Sequence, residues 1–376
     1  MSREQGADQA AAEPDTAAPD TAAPDAAAPD SAEQAAAQHA AVQQAAAEQA
    51  QQESGDLLRS VPLPRDDGGE SESLTTVLVA FGANILIAVA KTAAAVLTGS
   101  ASLVAEAAHS WADSGNEIFL LMANRRSRQP PDREHPMGHG REAYVWSLFA
   151  ALGLFVAGAV VSVSQGVNEL LHPESASNFV IGYIVLAVSF VLEGVSFLQS
   201  VRQAKPEAAS MHRDLIDHVL ATSDPTLRAV FFEDSAALVG VLLAAGGLGL
   251  HQLTGSPIPD ALGSILIGVL LGAVAIVLIN RNRRFLVGQE ADPRVRAAAI
   301  RALLAAPEVA RVTYLRLEVV GPRMIFVTGD VDLTGDDPEP RLAVRLRALE
   351  AKISASPAVV GAVLSLSAPD EPTLEA

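Results

Sequence analysis

The sequence predicts an all-α bundle of six membrane-spanning helices followed by a small cytoplasmic α/β domain of order αββαβ, ferredoxin-like in its layering. Three observations lead there. Six apolar runs follow one another with short links, each close to the roughly 20 residues that cross a bilayer. Lys and Arg fall only on alternate links. After about residue 280 the composition turns soluble, and helix-type and strand-type patterns alternate.

Residues 1–73 come first and are of low complexity. Ala-Ala-Pro-Asp recurs at 17–20, 22–25 and 27–30, and an Ala/Gln stretch follows. Aromatics are absent and large aliphatics nearly so, so no core can offset the chain entropy, and a disordered acidic tail is expected. The tail holds 15 acidic against 3 basic residues, which is most of the formal net charge of −18. The transmembrane domain is expected over 74–280, with runs at 74–98, 102–123, 144–167, 179–200, 229–250 and 258–280. The link after the second run carries Arg125, Arg126, Arg128, Arg133 and Arg141, and the link after the fourth carries Arg202, Lys205, Arg213 and Arg228. Arg281, Arg283 and Arg284 follow the sixth run, while the other three links have no Lys or Arg. That asymmetry places both termini in the cytoplasm. The soluble domain occupies 281–368, with a helix at 293–305, strands at 311–319 and 323–333, a helix at 342–354 and a third strand at 359–367. Residues 369–376 form a short tail.

Composition removes several functions. There is no cysteine, so neither a disulfide scaffold nor a thiolate metal site can exist. The acidic balance argues against nucleic acid as a partner. No prosthetic group is implied. High Ala and Arg usage suits a bacterial inner membrane.

An ionisable group inside a bilayer is costly, so each one is a candidate functional residue. The second run holds Glu106, His109, Asp113 and Glu117, with Asn116 beside the last, spaced 3, 4 and 4 apart on one helical stripe. His109 and Asp113 lie one turn apart, a geometry that lets an imidazole and a carboxylate reach one divalent cation. A hydrogen-bonded pair joining helices is the alternative. The fifth run opens on Glu233 and Asp234, which point about 100° apart on a helix. Asp234 can complete a site with His109 and Asp113, leaving Glu233 as a fourth ligand, a supporting partner or a proton acceptor. Asn84, Lys91, Glu193 and Asp260 are isolated polar groups in other runs. The link after the second run gathers Asp132, His135 and His139, either a surface metal site or an ion access funnel. His172, His212, His218 and His251 read as ordinary surface residues.

Residues 98–116, Thr-Gly-Ser-Ala-Ser-Leu-Val-Ala-Glu-Ala-Ala-His-Ser-Trp-Ala-Asp-Ser-Gly-Asn, resemble the second-span signature of the cation diffusion facilitators, and His135-Pro-Met-Gly-His-Gly resembles the motif after it. The resemblance covers about residues 74–368. It implies export of a divalent metal cation, zinc foremost with manganese, iron and cobalt as other candidates, by proton antiport and alternating access. It also implies a homodimer and a second metal site on Asp132, His135 and His139. Carried onto this chain, the transport site falls on His109, Asp113 and Asp234. The family's fifth-span histidine would fall on Val230, so this chain resembles the branch that reads Glu-Asp there, with Glu233 or water as fourth ligand. Glu106, Asn116, Asn84 and Glu193 are candidates for residues that support the ligands. Two other functions remain open at this point. One is a non-transporting membrane scaffold or regulator of the same fold. The other is an intramembrane metallohydrolase with Glu233 as base.

Overall fold

The structure is a computed structural model that describes Val61, residues 74–173 and residues 176–375. The acidic tail expected at 1–73 therefore lies outside the described residues, apart from Val61. Helix α1 spans Leu74–Thr98 and α2 spans Ala101–Ser127. Helix α3 (Glu142–Ala150) runs through a π-helical turn at Ala151–Phe155 into α4 (Val156–Leu171). Then come α5 (Phe179–Ser210), the short α6 (Leu215–Ala221), α7 (Pro225–Thr254) and α8 (Ile258–Val287).

Local chemistry sets the helix ends. Gly99 takes φ +71° at the end of α1, a conformation that favours glycine. The Ser100 side chain then caps α2 by accepting from the Leu103 N–H. Asp224 caps α7, accepting from the N–H groups of Thr226 and Leu227 at 2.9 and 3.1 Å, and Pro225 fills the first helical turn. Several helices outrun the apolar stretches that announced them. Helix α5 passes through Pro206 to Ser210, and α8 reaches Val287, because a helix that leaves an apolar environment keeps its backbone pairing and only changes its side chains.

Among the described residues, five helical rods are long and apolar enough to cross a membrane: Phe81–Thr98, Glu142–Leu171, Phe179–Ser210, Pro225–Thr254 and Ile258–Val287. Their outer faces display Leu86, Val96, Val160, Val180, Val191, Leu242, Val269 and Ile276, all mostly exposed. Apolar surface of that extent belongs in lipid, not water. The chain is thus an integral membrane protein of several spans. Helix α2 has the opposite character. Its polar groups Ser102, Glu106, His109, Ser110, Asp113, Ser114 and Asn116 are all buried, among packed alanines. Small residues let its neighbours approach closely, so the other helices enclose a polar stripe.

The C-terminal domain has β1 (Gln289–Glu290), α9 (Pro293–Leu304), β2 (Val309–Gly321), β3 (Met324–Leu333), α10 (Glu339–Ser354) and β4 (Val359–Leu366). The expected αββαβ order is present, with a two-residue strand in front of it, too short for any periodicity to announce. The sheet order is β1-β2-β3-β4, antiparallel except for the parallel pair β3–β4. The strands joined through α10 are direct neighbours. This differs from the split arrangement of a ferredoxin-like sheet. Leu315, Leu317, Ile325, Val327, Val331 and Leu364 meet Val295, Ile300, Leu303, Leu349 and Ile353 of the two helices in one core, so both helices cover the same sheet face.

Candidate functional site: a polar core inside the helical bundle

Most of the residues singled out in the bundle face one polar core. His109 is fully buried on α2, and its Nδ1 lies 3.1 Å from Asp113 Oδ1. Beyond this contact, neither imidazole nitrogen nor Asp113 Oδ1 has a hydrogen-bond partner among the described residues. Buried polar atoms are nearly always paired, and a run of unpaired ones marks a place built for something other than packing. Glu106 Oε1, Asn116 Oδ1 and Glu117 Oε2 on the same helix are unpaired as well.

The adjacent carboxylates of α7 diverge as helix geometry requires. Glu233 turns to α2, where the Asn116 side-chain amide donates to its Oε2. Asp234 turns to α5, where Ser196 Oγ lies 3.1 and 3.0 Å from its two oxygens. Lys91 of α1 donates to Glu106 Oε2 at 2.9 Å and stands 3.6 Å from Glu193 of α5. Asn84 of α1 donates to Glu117. Thus α1, α2, α5 and α7 all feed one polar core, and the intramembrane candidates read from the sequence, Asp260 excepted, lie in or beside it. His109, Asp113 and Asp234 do not converge to one coordination sphere. Among the described residues, the group with ligand atoms all within 4.8 Å of one another is Asp132, His135 and His139.

Ser196 is a partner the sequence reading missed. Its signal was the Glu193–Ser196 spacing of three, one turn of α5. Asp260 proves to be structural. It accepts from Ser100 Oγ at 2.8 Å, from the Ala101 N–H at 2.7 Å and from Ser102 Oγ, tying the start of α8 to the first turn of α2. A carboxylate there also favours the helix N-terminus electrostatically. Asp260→Ala should lower stability by about 3 kcal/mol, since each lost charged hydrogen bond contributes roughly 1.5–3 kcal/mol and partners recover some of it from water. Thermal unfolding in detergent reads this directly. Arg228, one of the basic residues that mark the topology, is fully buried. It donates to the Thr222 carbonyl at 2.7 Å and lies over the Phe285 ring at 5.3 Å. His218 and His251, expected at the surface, are buried too; His218 faces Glu207 and His251 meets the Phe179 ring edge-on. Scattered histidines carry no period, so their burial is set by long-range packing alone.

The loop after α2 is a compact unit. Asp132 Oδ1 accepts from the N–H groups of Glu134 and His135 at 2.9 and 2.6 Å, and lies 3.2 Å from His135 Nδ1. Asp132 Oδ2 lies 3.1 Å from His139 Nε2. The His135 N–H, followed by the His139 side chain, pushes the Asp132 carboxyl down to about 2. Behind this cluster, Gly140 packs on the β2–β3 hairpin: a Cβ there would stand 2.6 Å from the Val320 carbonyl oxygen and 2.8 Å from Gly321 Cα. Arg141 pairs with Glu318 on the same strand. Gly140→Val should therefore cost about 1–3 kcal/mol through overpacking against backbone that cannot yield, seen as an earlier unfolding midpoint. In the C-terminal domain Asp332 pairs with Arg311 at 3.0 Å and Asp337 with Arg345 at 2.7 Å, so these carboxylates are held by structural ion pairs.

A helical bundle that buries imidazole and carboxylate groups beneath a lipid-facing surface defines a membrane protein that handles cations. The comparisons agree. Residues 77–287, just over half of the chain, match the cation efflux transmembrane domain, and the chain belongs to that family of transporters, not to an enzyme family. It is 33% identical over 277 residues to metal tolerance protein C4 of Arabidopsis thaliana, covering 74% of this chain and 61% of that one. It is 34% identical over 259 residues to the mitochondrial proton-coupled zinc antiporter of Homo sapiens, covering 69% of this chain and 46% of that one. A probable cation efflux system protein of Mycobacterium tuberculosis is 25% identical over 263 residues, covering 69% of this chain and 73% of that one. The chain thus spans about half to three fifths of the first two relatives.

Proposed function

We propose that the chain exports a divalent metal cation, zinc foremost, in exchange for protons, by alternating access of a site between α2 and α7. The observation that carries this reading is the buried His109–Asp113 pair, 3.1 Å apart, with Asp234 on the facing wall of the polar core. In this reading α2 is a sixth span, tolerated in the membrane because its charges face inward. Both termini lie in the cytoplasm, as the Arg-rich links demand. A relative named as a proton-coupled zinc antiporter supports the exchange and the ion.

His109, Asp113 and Asp234 hold the cation, and Glu233 serves as fourth ligand or proton acceptor while Asn116 orients it. Metal ligands shed protons when they bind, and an imidazole exchanges protons near neutrality, so uptake of protons on the far side releases the cation. Asp132, His135 and His139 form a second cation site on the access side. Tyr314 and Val363, exposed on the sheet face away from the helices, support self-association into a dimer by packing.

Reconstitution into proteoliposomes with a metal dye and an internal pH dye tests the function. Cation flux coupled to opposite proton flux is expected; no flux for zinc, manganese, iron(II) or cobalt from folded protein would reject it. The loop site makes a separate prediction. A depressed carboxyl keeps its charge until the pH falls through about 2, so Asp132 stays ionised throughout the working range. Cation binding at the loop should therefore lose nothing to protonation of Asp132 across the working range. Titration calorimetry on the full chain with Asp234→Ala isolates binding at the loop.

A further inference from the structure

Lys91 is a fully buried ammonium within the bundle, and the sequence motifs of cation transport give it no task. It bridges two walls of the polar core. Its contact with Glu106 on α2 is a true hydrogen bond at 2.9 Å, whereas Glu193 on α5 stands at 3.6 Å, beyond hydrogen-bond length. Each of these carboxylates sits one helical turn before a site group. Glu106 precedes His109 by three residues, and Glu193 precedes Ser196, which holds Asp234, by three. Glu193 is also within electrostatic range of His109, Asp113 and Asp234. Gly240 makes room for Glu106, since a Cβ there would clash with its Oε1. The hydrogen-bonded partner of Lys91 is thus Glu106, and the more distant one is Glu193.

We propose that Lys91 is an internal counter-cation and Glu193 a specificity-determining carboxylate: without cargo, Lys91 balances both carboxylates, and with a divalent cation between α2 and α7, Glu193 moves from Lys91 to the cation. This rests on the transport reading above. It supplies a further ligand to a site that has no ligating side chain one turn before Asp234, where Val230 stands. It also explains why a cation leaves so acidic a pocket: the ammonium recaptures Glu193, and an unpaired buried charge is never left behind.

The test is cation flux by the full chain in proteoliposomes, with zinc and manganese as probes, for wild type, Glu193→Gln, Lys91→Gln, Lys91→Arg and Asp234→Ala. Glu193→Gln should raise KM about tenfold with kcat within about twofold. Lys91→Gln should do the reverse, lowering KM and lowering kcat about tenfold as the uncompensated carboxylates retain the cation, while Lys91→Arg keeps both near wild type. A purely structural pair would lower the amount of folded protein without splitting KM from kcat. Unchanged KM in Glu193→Gln, or unchanged kcat in folded Lys91→Gln, overturns the proposal. If Lys91→Gln does not fold, the Glu193→Gln arm decides. A silent wild type, or full flux in Asp234→Ala, would reject the transport reading itself.

Discussion

Asp234→Asn should reduce cation flux about 100-fold or more while leaving the fold intact. The side chain keeps its size and can still accept from Ser196, so the packing between α5 and α7 survives. What disappears is the negative charge at a buried position where a cation must be both desolvated and held. Loss of even an outer partner of a metal ligand costs about 10–100-fold in affinity or activity, and loss of a ligand's charge costs more. Asp132→Asn makes the comparison informative. Asp132 lies on an exposed loop, outside the membrane-buried polar core, so its loss should slow flux less than tenfold at saturating cation. Equal and complete loss in both variants would mean that the loop, not the bundle, limits transport. Intact flux in Asp234→Asn would remove the bundle site from the mechanism.

Val230→His should shift ion preference more than any other single change. Residue 230 lies one turn before Asp234 on α7, the spacing at which two side chains share a helix face. A second imidazole turns a carboxylate-rich site with one nitrogen into a balanced nitrogen and oxygen site, which favours zinc over manganese. The zinc-to-manganese ratio of kcat/KM should rise about 10–100-fold, equivalent to roughly 1.4–2.8 kcal/mol of added discrimination. Competition flux with both ions in one vesicle population reads the ratio directly. An unchanged ratio would show that residue 230 does not face the cation.

Much of this arrangement was legible from residue spacing. The stripe Glu106, His109, Asp113, Glu117 is periodic, and period is what a sequence displays. The structure puts Glu106, His109 and Asp113 on the buried side of α2. The divergence of Glu233 and Asp234 followed from helix geometry alone, and the structure gives them partners on two different helices. The soluble domain was legible because its strands are β-branched and its turn at Gly321-Pro322 is punctuated.

The remainder depends on pairings between distant residues. Nothing local says that Ser196 faces Asp234, that Lys91 stands between Glu106 and Glu193, or that Asp260 holds the first turn of α2. Each of those contacts joins helices far apart in the chain. The extensions of α5 and α8 beyond their apolar runs escaped because apolarity stops where lipid stops, while the helix does not. The π-helical turn at Ala151–Phe155 escaped because one added residue barely alters an apolar pattern. His218 and His251 were placed at the surface because a lone polar residue gives no sign of what packs over it.

The most direct measurement is the position of a bound ion. Anomalous scattering at the zinc edge from crystals of the zinc-loaded full chain locates the metal without reference to any assumed ligand set. The account predicts a peak between α2 and α7, within coordination distance of His109, Asp113 and Asp234, with or without a second peak at Asp132, His135 and His139. A peak confined to the loop, with none inside the bundle at saturating zinc, would contradict it.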